Sequence, residues 1–507
     1  MTHAGSEEAR GPAERLRSII IVGGGTAGWM TAALLARRLA PLGIALTLIE
    51  SSAIGTIGVG EATTPAIRDY FEAAGLDEGA VMRAAEGTAK LGIEFEGWTG
   101  EGSRFFHPFG LYGSASGGVA FHHYWLRQRA AGDGTPLDRY SLASRLAQAG
   151  AMMAPIRPAP DFAFFDWALH FDARLYAGYL GEVATARGVR RIDAQIRSVE
   201  RDPTTGRIIA VHTVEQGAIS GDLFVDCTGF RSLLLGVALD EPFVDWSAFL
   251  PVDRAVAIPS ATPPGSAPLA PYTRSIARGA GWQWRIPLRH RIGNGYVYCS
   301  RFLSDDEAAA TLAGALDGTA LAEPSLLRFR TGHRRRFWSS NCVGVGLSAG
   351  FLEPLESTSI TLIHSAIERL VDLLPDTRMD PALAAEYNRI TALEYERVRD
   401  FLILHYHGNA RVEPFWRERR AAPLPEPLAH KIRMFRSRGE LVRYDWETFA
   451  DPSWLSLFAG LNMLPDRWDP RADVLTTTQI DGAFSRMRAD IGRLAAGGVP
   501  HRTWLER

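Results

Sequence analysis

Lysine is nearly missing from this chain: among 507 residues only Lys90 and Lys431 occur, and arginine supplies the other basic side chains. Cysteine is scarce as well. Cys227, Cys299 and Cys342 are too few for a disulfide framework and show no C-x-x-C spacing, which excludes a cysteine-ligated zinc site or a dithiol redox motif. No apolar run approaches the roughly 18 residues that a membrane span requires. Neither sign of charge dominates: 55 basic against 57 acidic residues leave −2, removing the footprint that nucleic-acid or anionic-membrane binders need. The first 17 residues are polar, carry Glu7, Glu8 and Glu14 and lack an apolar stretch, so a disordered tail and a cytoplasmic chain are expected.

What is present can bury a large core, since 46% of the residues are hydrophobic and 22% charged. Residues 18–22 form a short β-branched run. Gly23-Gly24-Gly25-Thr26-Ala27-Gly28 follows directly and leads into a helix-like stretch over 29–40. A second apolar run over 44–49 ends on Glu50. Strand, glycine turn, helix, strand and terminal acid in that order form a βαβ dinucleotide unit: the glycines let backbone amides approach a pyrophosphate, and the acid reaches a ribose hydroxyl. A second cluster, Gly344-Val345-Gly346-Leu347-Ser348-Ala349, has the G-x-G-x-x-A shape. Phe351-Leu352-Glu353-Pro354 interrupts it at once, so it is not read as a second nucleotide site. One fingerprint of this kind fits a tightly held FAD better than a shuttling nicotinamide, and its reducing equivalents must come from outside.

No 20-to-50-residue repeat is present. Thr63-Thr64-Pro65 predicts a capped, proline-led helix start with Ile67 and Phe71 buried. Alternation over 90–96 predicts a strand starting at Lys90, with Leu91, Ile93 and Phe95 on one face and Lys90, Glu94 and Glu96 on the other. Residues 185–230, 282–302 and 341–346 read as strands. Ser357 to Ser359 can cap a helix burying Ile360, Ile363, Ile367, Leu370 and Leu374, and 380–507 reads as mostly helix. Pro263-Pro264 and Pro423-Leu424-Pro425 read as loops.

Several stretches together resemble the flavin-dependent tryptophan halogenases, from about residue 18 to about residue 470. Gly281-Trp282-Gln283-Trp284-Arg285-Ile286-Pro287 matches the W-x-W-x-I-P signature of these enzymes, and two tryptophans at i and i+2 share one face of a strand and can wall a passage. The run from Gly346 to Thr358 is similar to the family's flavin-and-halide loop, which brings backbone amides and a helix N-terminus to one place. Ala89-Lys90-Leu91-Gly92-Ile93 matches the catalytic-lysine strand, Gly58-Val59-Gly60-Glu61-Ala62-Thr63 an early family motif, and Phe106-His107-Pro108-Phe109-Gly110 the segment that holds the indole.

The resemblance implies an α/β chain with a glutathione-reductase-like, hydroxylase-type Rossmann fold for FAD, an interwoven substrate-domain β-sheet and a mostly helical C-terminal part. Its expected division is a tail over 1–17, an FAD-binding and halogenation module over 18–378, and a helical region over 379–507 that covers the substrate pocket. Lys90 and Glu356 would be catalytic, the amides of Thr358 and Ser359 would hold the halide, and Ala53, Leu347 and Ile360 would touch the cofactor. His107, Phe109, Trp282 and Trp284 would stand on the substrate side. The family pattern has glycine where this chain has Ser359.

The implied reaction uses FADH2 from a separate NAD(P)H-dependent flavin reductase, together with oxygen and bromide or chloride, to make hypohalous acid. The Lys90 amine would hydrogen-bond the acid or carry the halogen as a haloamine, and Glu356 would polarise the oxidant or accept the proton leaving the ring. Tryptophan-specific members grip the amino acid's zwitterion with a tyrosine-rich acidic segment. No counterpart stands out between Tyr406 and Trp468, so the expected substrate is indole or a substituted indole, with bromide preferred to chloride. A homodimer is compatible with the resemblance. The alternative is a two-component flavin-dependent aromatic hydroxylase, which would need neither Trp282/Trp284 nor Lys90. A flavoprotein holding FAD as a structural or sensing element is the reading from another class.

Overall fold

The computed structural model describes residues 15–54, 60–263 and 269–506. The expectations for the tail up to residue 14, for Gly58-Val59 and for Pro264 lie outside the described residues. At the centre of one layer is a six-stranded sheet in the order Trp338–Ser339, Cys342–Gly344, Leu223–Asp226, Ser18–Val22, Ala45–Glu50, Arg190–Asp193. It is parallel except at the Trp338–Ser339 edge. The β-branched run Ser18–Val22 suits its central position, because a parallel strand is covered on both faces and must be apolar along its length. Helix Thr26–Arg38 follows the glycine turn, starting and ending slightly before the 29–40 expected, and buries residues from Gly28 to Ala36.

A seven-stranded sheet forms the second layer, in the order Ser325–Arg328, Arg254–Ala257, Ile292–Tyr298, Gly281–Pro287, Thr273–Arg278, Gly92–Glu96, Arg104–Pro108. Along the chain its strands alternate with those of the first sheet, so the two layers are interwoven. From Pro381–His407 onward the chain is mostly helical, as expected, and Pro423 to Pro425 is a loop. Among the described residues no helix is long and apolar enough to cross a membrane.

Three local readings need correction. The strand read as continuous from Lys90 is two strands, Thr88–Lys90 and Gly92–Glu96, with Leu91 between them donating its N–H to Pro271 O. Lys90 therefore ends a strand of a small sheet ordered Gly60–Ala62, Ala168–Asp172, Thr88–Lys90, and its side chain is fully buried instead of sharing the outer face with Glu94. Second, Thr63 and Thr64 do not cap the helix Ile67–Ala74, whose N-cap is Ala66; Thr63 Oγ1 donates to Leu169 O and Thr64 Oγ1 pairs with Thr361 Oγ1. Ile67 and Phe71 are buried as expected. Third, helix Ser359–Asp372 buries Ile360, Ile363, Ile367 and Leu370 but ends before Leu374, and no side chain from 357–359 caps it.

Candidate active site

Backbone geometry explains each glycine of the first turn. Gly23 has φ +113°, and a Cβ there would stand 2.2 Å from Cys227 O; at Gly28 it would stand 1.8 Å from Gly23 O, where helix packs on strand. Gly24 lies under the Glu50 carboxylate, 1.6 Å from where its Cβ would be. Gly25 differs: a Cβ there would meet nothing within 4 Å among the described residues, and it lines a cavity of about 890 Å³. The cavity is lined by Gly23 to Ala27, Glu50, Arg191, Trp282, Trp284, Leu347, Ser359 and Ile360 among others. A bare backbone at a helix N-terminus, an acid at the next strand end and a cavity of this size fit a dinucleotide such as FAD. Glu50 is oriented by Trp29 Nε1 (3.3 Å) and Arg191 Nε (2.6 Å). Ala53 is exposed and does not line the cavity, whereas its neighbours Ser51, Ser52 and Ile54 do. The second glycine cluster closes the same cavity: Gly346, at φ +72°, packs against Ala27, where a Cβ would be 2.8 Å from Ala27 Cβ.

Beside this cavity is a closed group of side chains. Lys90 Nζ donates to Thr63 O and to Ser357 Oγ, both at 2.8 Å, and stands 5.0 Å from the centre of the Phe109 ring. Burial pulls the Lys90 amine down to about 7, with the Glu356 charge opposing. A neutral amine has two N–H donors and one lone pair. Both donors are used here, so the lone pair is left for an electrophile. Ser357, in the left-handed region at φ +61°, lines the cofactor cavity while its hydroxyl accepts from Lys90, so one residue touches both the cavity and the buried group.

Glu356 is 1% exposed. Its Oε2 is 2.9 Å from His107 Nδ1 and its Oε1 is 2.8 Å from His405 Nε2. Burial opposes its ionisation, but the two imidazoles outweigh burial and hold the carboxyl down at about 2. Register places His107 here: it pairs with Ile93 across the strands Gly92–Glu96 and Arg104–Pro108, two residues beyond Leu91. His107 is ringed by Phe109, Phe401 and Phe449, with centroids 6.1, 5.8 and 6.2 Å away, and Phe401 stacks on Phe449 at 3.8 Å.

The structure thus brings Lys90, His107, Phe109 and Glu356 together and places the predicted halide pair at the adjoining helix start. There Thr358 is fully buried with Oγ1 unpartnered, and Ser359 opens to the cofactor cavity. Trp282 and Trp284 share a face, as their spacing predicts, but that face lines the cofactor cavity and not the ring around His107. Trp282 Nε1 donates to Glu353 Oε2 (3.1 Å), which also accepts from Tyr406 OH (2.8 Å); burial pushes Glu353 up to about 7. Glu353, Ser357 and His405 were not among the predicted site residues. His405 sits 49 positions after Glu356 with no local motif, and only its place in the apolar C-terminal end of helix 381–407 hints that a buried histidine there must have a partner.

The sequence profile of the tryptophan halogenase family matches residues 18–477. Tryptophan 6-halogenase SttH of Streptomyces toxytricini is 40% identical over 509 residues, covering 95% of this chain and 96% of that protein. Among solved structures, BrvH, a flavin-dependent halogenase from Brevundimonas sp. BAL3, superposes with a TM-score of 0.94 at 49% identity, covering 97% of this chain and 99% of that one. Xcc4156, a flavin-dependent halogenase from Xanthomonas campestris, gives a TM-score of 0.93 at 40% identity, covering 97% and 98%.

Proposed function

As the chain belongs to the tryptophan halogenase family and is an enzyme of the flavin-dependent halogenase type, we propose that it halogenates indole or a substituted indole with bromide or chloride, bromide being preferred. The cofactor is FAD, supplied reduced by a separate NAD(P)H-dependent flavin reductase. Bound reduced FAD with oxygen supplies the oxidising power that turns halide into hypohalous acid. In this reading Gly23 to Gly28, Glu50, Leu347 and Ile360 hold the cofactor, and the helix start at Thr358 and Ser359 holds the halide through its free amides. The oxidant passes Ser357 to Lys90, whose lone pair hydrogen-bonds it or takes the halogen. Lys90 then presents the halogen to a ring held near His107 and Phe109, and the proton lost from that ring ends on Glu356. The helical region from residue 379 closes this chamber, which His405 and Tyr406 support by reaching Glu356 and Glu353.

The observation that carries the reading is the convergence of Lys90 and Glu356 on one buried cluster adjoining the cofactor cavity. Preference for indole over free tryptophan is supported by two polar pairs within 430–447. Lys431 Nζ pairs with Glu447 Oε1 at 2.8 Å, and Tyr444 OH with His430 Nδ1 at 2.7 Å. Neither pair is free to grip a zwitterion. The test is mass spectrometry of an aromatic panel incubated with enzyme, flavin reductase, NADH and each halide in turn. A halogen isotope doublet on indole products is expected; equal turnover of tryptophan and indole would overturn the pocket argument, and hydroxylated products without halide would favour the hydroxylase alternative.

A further inference from the structure

The hydrogen atoms around Glu356 can be counted from their partners. His405 Nδ1 is 3.0 Å from Phe401 O, a carbonyl that can only accept, so Nδ1 carries a hydrogen. A hydrogen must therefore also lie between His405 Nε2 and Glu356 Oε1, which stand 2.8 Å apart. On the other side His107 Nδ1 faces Glu356 Oε2, and in the presence of a carboxylate it is the ring N–H that donates. His107 Nε2, on a ring that is fully buried, has no hydrogen-bond partner among the described residues. An orphaned imidazole nitrogen costs free energy unless something fills that place in a working state. Glu356, by contrast, has both oxygens engaged and no free edge to offer a substrate directly.

From this geometry we infer that the group which takes the proton from the halogenated ring is His107 Nε2, with Glu356 acting through it and His405 positioning Glu356. The inference deepens the halogenation reading above and rests on it. When the ring carbon has bonded to the electrophilic halogen, the ring is cationic. Its C–H bond breaks, the electron pair of that bond restores the aromatic system, and the proton goes to Nε2. The Nδ1 proton then moves to Glu356 Oε2, leaving a neutral imidazole. In this arrangement Lys90 donates the halogen and His107 accepts the proton, with Phe109 beside both and Phe401 and Phe449 beside His107. His405 is a positioning residue: it tethers Glu356 to the helix 381–407 and sets which oxygen faces His107.

The test compares wild type with His107→Asn, whose amide can keep the donor toward Glu356 but has no basic nitrogen. Single-turnover rates are measured separately with protiated and ring-deuterated indole. Loss of about 10²-fold is expected from removing a general base, together with an isotope ratio well above 1 in the variant and near 1 in wild type. A rate loss with the ratio still near 1 would assign His107 to holding the substrate alone and overturn the inference, as would wild-type rates in the variant. A second readout needs no turnover: ¹⁵N-imidazole NMR of the flavin-free wild-type protein should show His107 Nδ1 as N–H and Nε2 as a bare nitrogen, and the opposite tautomer would overturn the proposal even if His107→Asn fails to fold. If wild type halogenates no aromatic at all, the halogenase reading fails, and the NMR result stands apart from it.

Discussion

The two halves of the site are built on opposite plans. The cofactor cavity is large and lined along the first turn by backbone, with glycine where a Cβ would meet a strand or a helix or enter the cavity. The Lys90 group is closed and built from side chains, and its ionisable members are fully buried: Glu356 is held between His107 and His405, and Lys90 rests on Thr63 O and Ser357 Oγ. Backbone amides suit a large charged ligand that must be bound but not chemically altered by the protein. Buried ionisable side chains suit proton and halogen transfer, because the environment can move their proton affinities far from solution values. Ser357 belongs to both halves: it lines the cavity and its hydroxyl accepts from Lys90, on a backbone in the left-handed region.

The comparison breaks most sharply at Glu356. Glu356→Gln should lower aryl halide formation by about 10²–10⁴-fold while FAD affinity by fluorescence titration stays at the wild-type value; equal damage to both would erase the division into two compartments. On the cofactor side, Gly28→Ala and Gly25→Ala should separate packing from binding. At Gly28 the added methyl meets Gly23 O, so thermal unfolding should reveal a loss of about 1–3 kcal/mol. At Gly25 the methyl enters open space, so the melting temperature should hold while FAD binding weakens.

A smaller effect should come from pH. With Lys90 near 7, halogenation should rise about tenfold between pH 6 and 8 as the amine becomes neutral, while FAD binding stays flat. The same shift has a defined sign for stability: between about 7 and 10.5 the unfolded chain holds a proton that folded Lys90 has released, so this group makes folding more favourable as pH rises through that window. Chemical denaturation of wild type and Lys90→Met across pH 7 to 10 should show that slope in wild type and its absence in the variant. The smallest effect should follow Trp282→Phe, which removes one of two donors to Glu353 and should cost about 1–3 kcal/mol with halogenation largely kept.

Most of the cofactor half was legible in the sequence because its signal is local: a β-branched strand, a glycine turn and a terminal acid occur within residues 18–50. Ala53 missed the cavity because the turn after Glu50 faces Ser51, Ser52 and Ile54 into it. The chamber was legible only in part. Lys90 and Glu356 stood out through motifs, but alternation alone put Lys90 on an outer face with Glu94, because nothing in the pattern shows that Leu91 leaves one sheet for another. The roles of His405 and Glu353 were not legible for a different reason: their partners, Glu356 and the Trp282/Tyr406 pair, meet them only once the layers and the helical region are packed.

The division of labour between the two compartments is tested most directly with Lys90→Ala, by counting aryl halide formed per FADH2 oxidised in the presence of bromide and indole. The account predicts that flavin oxidation runs at the wild-type rate while the yield per flavin collapses. Slowed flavin oxidation, or an aryl halide yield close to wild type, would contradict it.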